Sequence, residues 1–159
     1  MESPRERVAD YPRPPALEPC ERHVRVEVFG RVLADSRRSL RVLETFHPPT
    51  FYLPPAALDA TMLRPAPGRS FCEWKGWARY FDVVAADGRT LERVVWQYPD
   101  PTAAYAELAG WFALYPAPMD GCWLDGELVQ PQPGGFYGGW ITADLAGPFK
   151  GDPLHPELI

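Results

Sequence analysis

Proline does more than any other residue to limit what this chain can become: twenty of them are scattered through 159 residues. Each lacks an amide donor and fixes φ, so each resists the interior of a helix or a central strand. They fall between apolar runs and follow no period, which makes them turns and rigid connections rather than a collagen or low-complexity tract. Only short elements fit between them. Nearly half the residues are apolar and aromatics are plentiful, so at this length the chain predicts one domain with a proper core.

Residues 1–20 include Tyr11-Pro-Arg-Pro-Pro-Ala-Leu-Glu-Pro19 and read as an extended proline-rich arm that packs in part. The core domain spans 21–130, and a tail rich in glycine and aromatics covers 131–159. From Arg22 the pattern alternates: Val24, Val26 and Val28 face one way, Arg25 and Glu27 the other, as in a half-buried strand. Further strands are expected at 32–34, 40–45 and 50–53, the last two separated by Phe46-His47-Pro48-Pro49. A short helix is expected over 56–63 and a second from Thr102 to about Leu108, where alanines dominate. A turn at Pro65–Gly68 precedes one long strand over 70–84, and Asp87-Gly88 signals a hairpin into a strand over 91–98. Strands at 111–115 and a hairpin at 122–129 follow. The pattern is all-β, or β-dominated, with one or two short helices.

The formal net charge is −5, and no lysine or arginine block offers the basic surface that phosphate backbones require. Arg37, Arg38 and Arg41 form the densest basic group, diluted by acidic neighbours, so nucleic acid is not the expected partner. Arginine supplies nearly all the positive charge. The only lysines, Lys75 and Lys150, each precede a glycine within a dense aromatic stretch. The distinction matters because a buried lysine can lose its proton and an arginine cannot. Three cysteines, Cys20, Cys72 and Cys122, with no Cys-x-x-Cys pair, argue against both a disulfide framework and a structural zinc. No cofactor or metal is expected. With no apolar leader and no run of membrane-spanning length, the expectation is a soluble cytoplasmic protein with no membrane partner.

Chemistry is concentrated in Ser70-Phe-Cys-Glu-Trp-Lys-Gly-Trp-Ala-Arg-Tyr-Phe-Asp-Val-Val84. Read as one strand, it puts Cys72, Trp74, Ala78 and Tyr80 on one face and Glu73, Lys75, Trp77 and Arg79 on the other. These groups cannot share one site unless Gly76 breaks the phase, as a strand glycine at a bulge does.

Three stretches resemble a known family: Val32-Leu-Ala-Asp-Ser-Arg through Leu43-Glu-Thr-Phe-His-Pro-Pro-Thr-Phe-Tyr-Leu-Pro54, then Cys72-Glu-Trp-Lys-Gly-Trp-Ala-Arg-Tyr80, then Trp96-Gln-Tyr-Pro-Asp-Pro101. In this order they are similar to the bacterial "domain of unknown function 427" family, which also carries a nucleotidyltransferase-like label. The resemblance covers roughly 24–129, and the Gly/aromatic tail is typical of a longer subgroup. It implies a β-tent of antiparallel sheets meeting at an angle, a fold similar to the thalidomide-binding domain of cereblon and to methionine-R-sulfoxide reductases. Many such relatives hold zinc with paired Cys-x-x-Cys motifs, which this chain lacks.

The nucleotidyltransferase label demands a Gly-Ser turn for phosphates and paired carboxylates for magnesium. No Gly-Ser dipeptide is present, and Asp125-Gly-Glu127 lies on a hairpin turn. Nucleotidyl transfer is therefore poorly supported. A small-molecule site is the better expectation: Trp74, Trp77, Trp96 and Tyr98 offer faces for a planar or nucleoside-like ligand, and Glu44, His47, Lys75 and Arg79 offer hydrogen bonds. Against this stands the commoner role of large aromatics as core. The alternative is an enzyme using Cys72, Lys75 or His47, although a buried cysteine is more often a small hydrophobe. A structural or interaction domain is the third reading. Phe136, Tyr137, Trp140 and Phe149 of the tail would either fold over the sheet as a lid or cover a sheet edge.

Overall fold

A computed structural model of the chain describes residues 5–135 and 137–158. Among them the strands run β1 (Glu6–Arg7), β2 (Ala16–Cys20), β3 (Val24–Val28), β4 (Arg31–Ser36) and β5 (Ser39–Leu43). Next come β6 (Thr50–Tyr52), β7 (Leu63–Cys72), β8 (Gly76–Val84), β9 (Thr90–Gln97) and β10 (Phe112–Leu114). β11 (Gly121–Leu124), β12 (Glu127–Leu128), β13 (Gln130–Pro131), β14 (Trp140–Ile141) and β15 (Leu145–Ala146) complete the order.

Two four-stranded antiparallel sheets, β10-β9-β8-β7 and β12-β11-β3-β4, and a three-stranded one, β2-β5-β6, make up most of the fold. β13 pairs with β14 antiparallel, and β1 with β15 in parallel. The fold is thus β-dominated and built of antiparallel sheets. The three-stranded sheet meets the edge of the first where Leu53 and Phe112 exchange backbone hydrogen bonds of 2.8 and 2.9 Å. Val24, Val26 and Val28 are buried as their alternation requires, in a core completed by Leu33, Phe51, Leu53, Val95 and Leu124. A second apolar cluster of Leu40, Val42, Tyr52, Ala78, Trp96 and Tyr98 lies under the region described below.

Both expected helices are 310 turns instead. Pro55–Ala57 and Ala60–Met62 replace the first, the latter started by Asp59, whose side chain accepts from the Thr61 amide. Ala103–Leu108 replaces the second and is kinked at Tyr105. Such short segments do not recover the cost of helix nucleation, and the placement of Leu58, Tyr105 and Leu108 in the interior decides their path. The N-terminal arm is not extended throughout: a 310 turn over Val8–Asp10 interrupts it, and from Ala16 it is a strand. Pro19 is tolerated there because β2 is an edge strand, where a missing amide costs no ladder bond. No helix among the described residues is long and apolar enough to cross a membrane.

The largest departure from the sequence reading is the stretch 70–84. It is a hairpin, not one strand: Cys72 pairs with Gly76, and Glu73, Trp74 and Lys75 form the turn. Gly76 has φ +102°, a region that side chains disfavour. Thr102 holds the turn from outside, its amide donating to the Lys75 carbonyl (3.1 Å) and its hydroxyl to the Trp74 carbonyl (2.6 Å). The hydroxyl therefore makes no cap for the 310 turn that follows. Pro65–Gly68 is likewise no separate turn but an irregularity within β7.

Candidate functional site

A three-residue turn preserves parity, so even-numbered residues of β7 still lie opposite even-numbered residues of β8. Ser70 pairs with Ala78, and Tyr80 with Trp96 on β9. One face of the sheet therefore carries Ser70, Cys72, Ala78, Tyr80, Trp96 and Tyr98. The other carries Phe71 opposite Trp77 and Arg69 opposite Arg79. There the Phe71 and Trp77 rings sit 5.1 Å apart, the Arg69 guanidinium lies 4.2 Å over Trp77, and Arg79 donates to Gln97 at 2.6 Å.

The first face is the floor of a cleft of about 500 Å³. Tyr52 and Val42 of the three-stranded sheet form one wall, Glu44 and His47 another, and the tail closes it with Gln132, Tyr137, Gly138 and Lys150. Cys72 and Lys75 enter from the hairpin. The sequence-derived candidates thus divide. Cys72, Lys75, Trp96, Tyr98, Glu44 and His47 come together, whereas Trp77 and Arg79 lie on the opposite face and Trp74 packs beside the second apolar cluster. Phe136 lies outside the described residues. Tyr137 and Gly138 close the cleft, Trp140 is buried in the first core, and Phe149 packs beside Val8 and Tyr11.

Each wall has a local cause. Phe46 takes φ +65° and the His47 amide donates to the Glu44 carbonyl (2.9 Å), so a tight turn between β5 and Pro48-Pro49 brings both side chains to one side. The tail is anchored to this turn by the Trp140 amide on the Pro49 carbonyl and the Lys150 amide on the Phe46 carbonyl, each 2.8 Å. Trp96 donates its indole N–H to the Tyr52 hydroxyl (3.2 Å) and lies 4.7 Å from the Tyr115 ring.

Gln132, 3% exposed, fixes the histidine. Its Oε1 accepts from the Gly139 amide (3.2 Å) and its Nε2 donates to the Lys150 carbonyl (2.9 Å), which settles the amide orientation. The same Nε2 lies 3.1 Å from His47 Nδ1. Nδ1 is therefore the acceptor, and the neutral ring carries its proton on Nε2, 3.7 Å from a Glu44 carboxylate oxygen. Burial lowers the His47 pKa, opposed by Glu44 and assisted by Lys150, so the ring is neutral at pH 7. Burial also raises the Tyr52 and Tyr98 hydroxyls, Tyr98 further through Tyr52 and Cys72, so both keep their protons.

The three cysteines are free thiols. Burial pushes Cys122 up to about 12, which makes it an inert part of the core. Cys72 alone is at the cleft. Among the described residues no three His, Cys, Asp or Glu side chains gather as a metal site.

Compared with known families, residues 16–125 match the one described as Domain of unknown function (DUF427). The chain belongs to the DUF427 family. The match ends before the tail, so in this DUF427 protein Gln132, Tyr137, Gly138 and Lys150 are contributed from outside the matched segment. None of the curated proteins compared with the chain matches it. Sequence reasoning marked Lys150 through its lysine–glycine setting but did not join it to Lys75. Tyr80 was placed on the right face but not taken as a site residue, and Gln132, Tyr52 and Tyr115 were not marked as part of a site.

Proposed function

We propose that this DUF427 protein is a small-molecule-binding module whose ligand occupies the cleft between the β7–β9 face and the tail. The observation that carries the reading is the cleft itself. Its size lies within the range of small-molecule sites, and its floor of Trp96, Tyr98 and Tyr80 offers ring faces while His47, Glu44 and the two lysines offer directional polar contacts. A planar ligand suits such walls. Trp74, Trp77 and Arg79 take no part. A structural role alone gives no account of a concave site with polar groups turned into it.

A panel of nucleosides, cyclic imides and aromatic acids should change tryptophan fluorescence in the wild type, and Trp96→Phe should remove the largest part of the response. Silence across the panel would sink the reading. A second reading has its own support. The turn at Gly76 sets Cys72 and Lys75 at one cleft, so a Cys72 thiolate would have an ammonium in the same pocket to stabilise it. It requires Cys72 to react with iodoacetamide faster than a free thiol of ordinary exposure; a slower rate removes it.

A further inference from the structure

The two lysines of this arginine-rich chain are 75 residues apart in sequence, yet both line one cleft. Lys75 is 9% exposed, and among the described residues its ammonium meets no carboxylate and no hydrogen-bond acceptor; its contact is the Tyr98 ring, 5.6 Å from Nζ. Lys150 is similarly without an ion pair among the described residues and lies 5.4 Å from the Tyr137 ring. The lone carboxylate of the lining, Glu44, already has Arg13 at 3.8 Å and His47 at 3.7 Å. The remaining polar groups of the lining are hydroxyls, one thiol, the Gln132 amide and the neutral His47 ring, none of which supplies an anion to pair with a lysine. A molecule of net charge −5 thus keeps a pocket lined by two cations that have no carboxylate partner among the described residues.

Lys75 thus buries its stem while its unpaired ammonium faces the cleft, and an unpaired ammonium beside a cavity is suited to charge-assisted hydrogen bonds with an anionic group. Resting on the binding reading above, we infer that the ligand is a planar aromatic acid, a carboxylate or phosphate ester, whose anionic group is held by Lys75 and Lys150 while its ring lies against Trp96 and Tyr98. Both acid groups present oxygens to ammonium donors in the same way, and which one is preferred is read from the affinities.

Two lysines make the test direct. Reductive 13C-methylation places one reporter on each, besides the terminal amine, and keeps the charge. Benzoate and phenyl phosphate should shift both lysine signals saturably, and the tighter of the two identifies the acid group. Benzamide, the neutral isostere of benzoate, should bind at least tenfold more weakly, as judged by tryptophan fluorescence. On unmethylated protein, Lys75→Met and Lys150→Met should each weaken acid binding at least tenfold, with Lys150→Arg restoring it to within a few-fold. Lys75→Met should melt no lower than the wild type, a result that a structural lysine would not give; Lys75→Gln serves if the methionine variant misfolds. Equal affinity for benzamide and benzoate, or acid binding unmoved in both lysine variants, overturns the acid proposal and leaves the binding module standing. If neither acids nor neutral rings bind, both readings fall.

Discussion

His47 owes its state to a neighbour rather than to itself. Gln132 spends its carbonyl on Gly139 and its amide on Lys150, so the histidine receives a donor at Nδ1 and must carry its proton at Nε2. A 15N–1H long-range correlation spectrum at pH 7 should show a neutral ring with Nδ1 bare. The pKa lowered by burial has a consequence for folding. The unfolded chain takes up this proton near the ordinary value of 6.5 and the folded chain does not, so stability present above 6.5 is lost as pH falls below it. Urea midpoints at pH 7.5 and 5.5 should therefore separate further in the wild type than in His47→Gln, and equal separations would contradict the assignment. Gln132→Leu removes the partner of a buried amide and a buried carbonyl at once. It should lower stability by about 1–3 kcal/mol and leave Nδ1 without its fixed donor, so that the nitrogen correlation spectrum no longer shows one tautomer.

The β7–β8 hairpin is the element on which the site turns. As a single strand, residues 70–84 would scatter Cys72 and Lys75 to opposite faces; as a hairpin they share a cleft. Gly76 makes the difference, and at φ +102° any side chain is strained even though a Cβ there would meet nothing closer than 3.6 Å. Gly76→Ala should cost about 1–3 kcal/mol in denaturant unfolding, as residues held in sparsely populated backbone regions do, and should weaken ligand binding by displacing Lys75. Thr102→Val, which leaves the backbone of the turn alone but removes the hydroxyl that holds Trp74, should cost about 0.5–1.5 kcal/mol. Much of this element could be read before the structure. Period-2 alternation correctly put Ala78 and Tyr80 opposite Trp77 and Arg79, because a three-residue turn leaves parity unchanged. The turn itself was invisible: Glu73-Trp-Lys75 has none of the Asn-Gly or Asp-Gly chemistry that marked the Asp87-Gly88 hairpin. The alanine-rich segments failed for a related reason, since propensity favoured helix while burial of Leu58, Tyr105 and Leu108 fixed 310 turns.

Taken as a whole, the cleft joins the segment that matches the family to the tail that lies beyond the match. The DUF427 match ends at residue 125, and the floor of the cleft, with Lys75, Trp96 and Tyr98, lies inside it. The closing wall, with Gln132, Tyr137 and Lys150, lies outside. No local pattern in the sequence linked them, because the contact depends on the tail returning to the Phe46–Pro49 turn from ninety residues away. The tail lies close against the floor at Gly138, where a Cβ would stand 2.4 Å from the Trp96 ring edge. That ring is not free to give way, being held by the Tyr52 hydroxyl and packed beside Tyr115. Gly138→Ala should therefore push the tail outward at a cost of about 1–3 kcal/mol, the usual range for overpacking. Hydrogen exchange separates this from general loosening. The Trp140 and Lys150 amides, which bond to Pro49 and Phe46, should exchange faster in Gly138→Ala while the amides of β8 and β9 keep their protection. Uniform loss of protection would mean that Gly138 matters to the core rather than to the closing wall. Selective loss, together with weakened binding of an aromatic acid, would make the tail the part of the chain that completes the site.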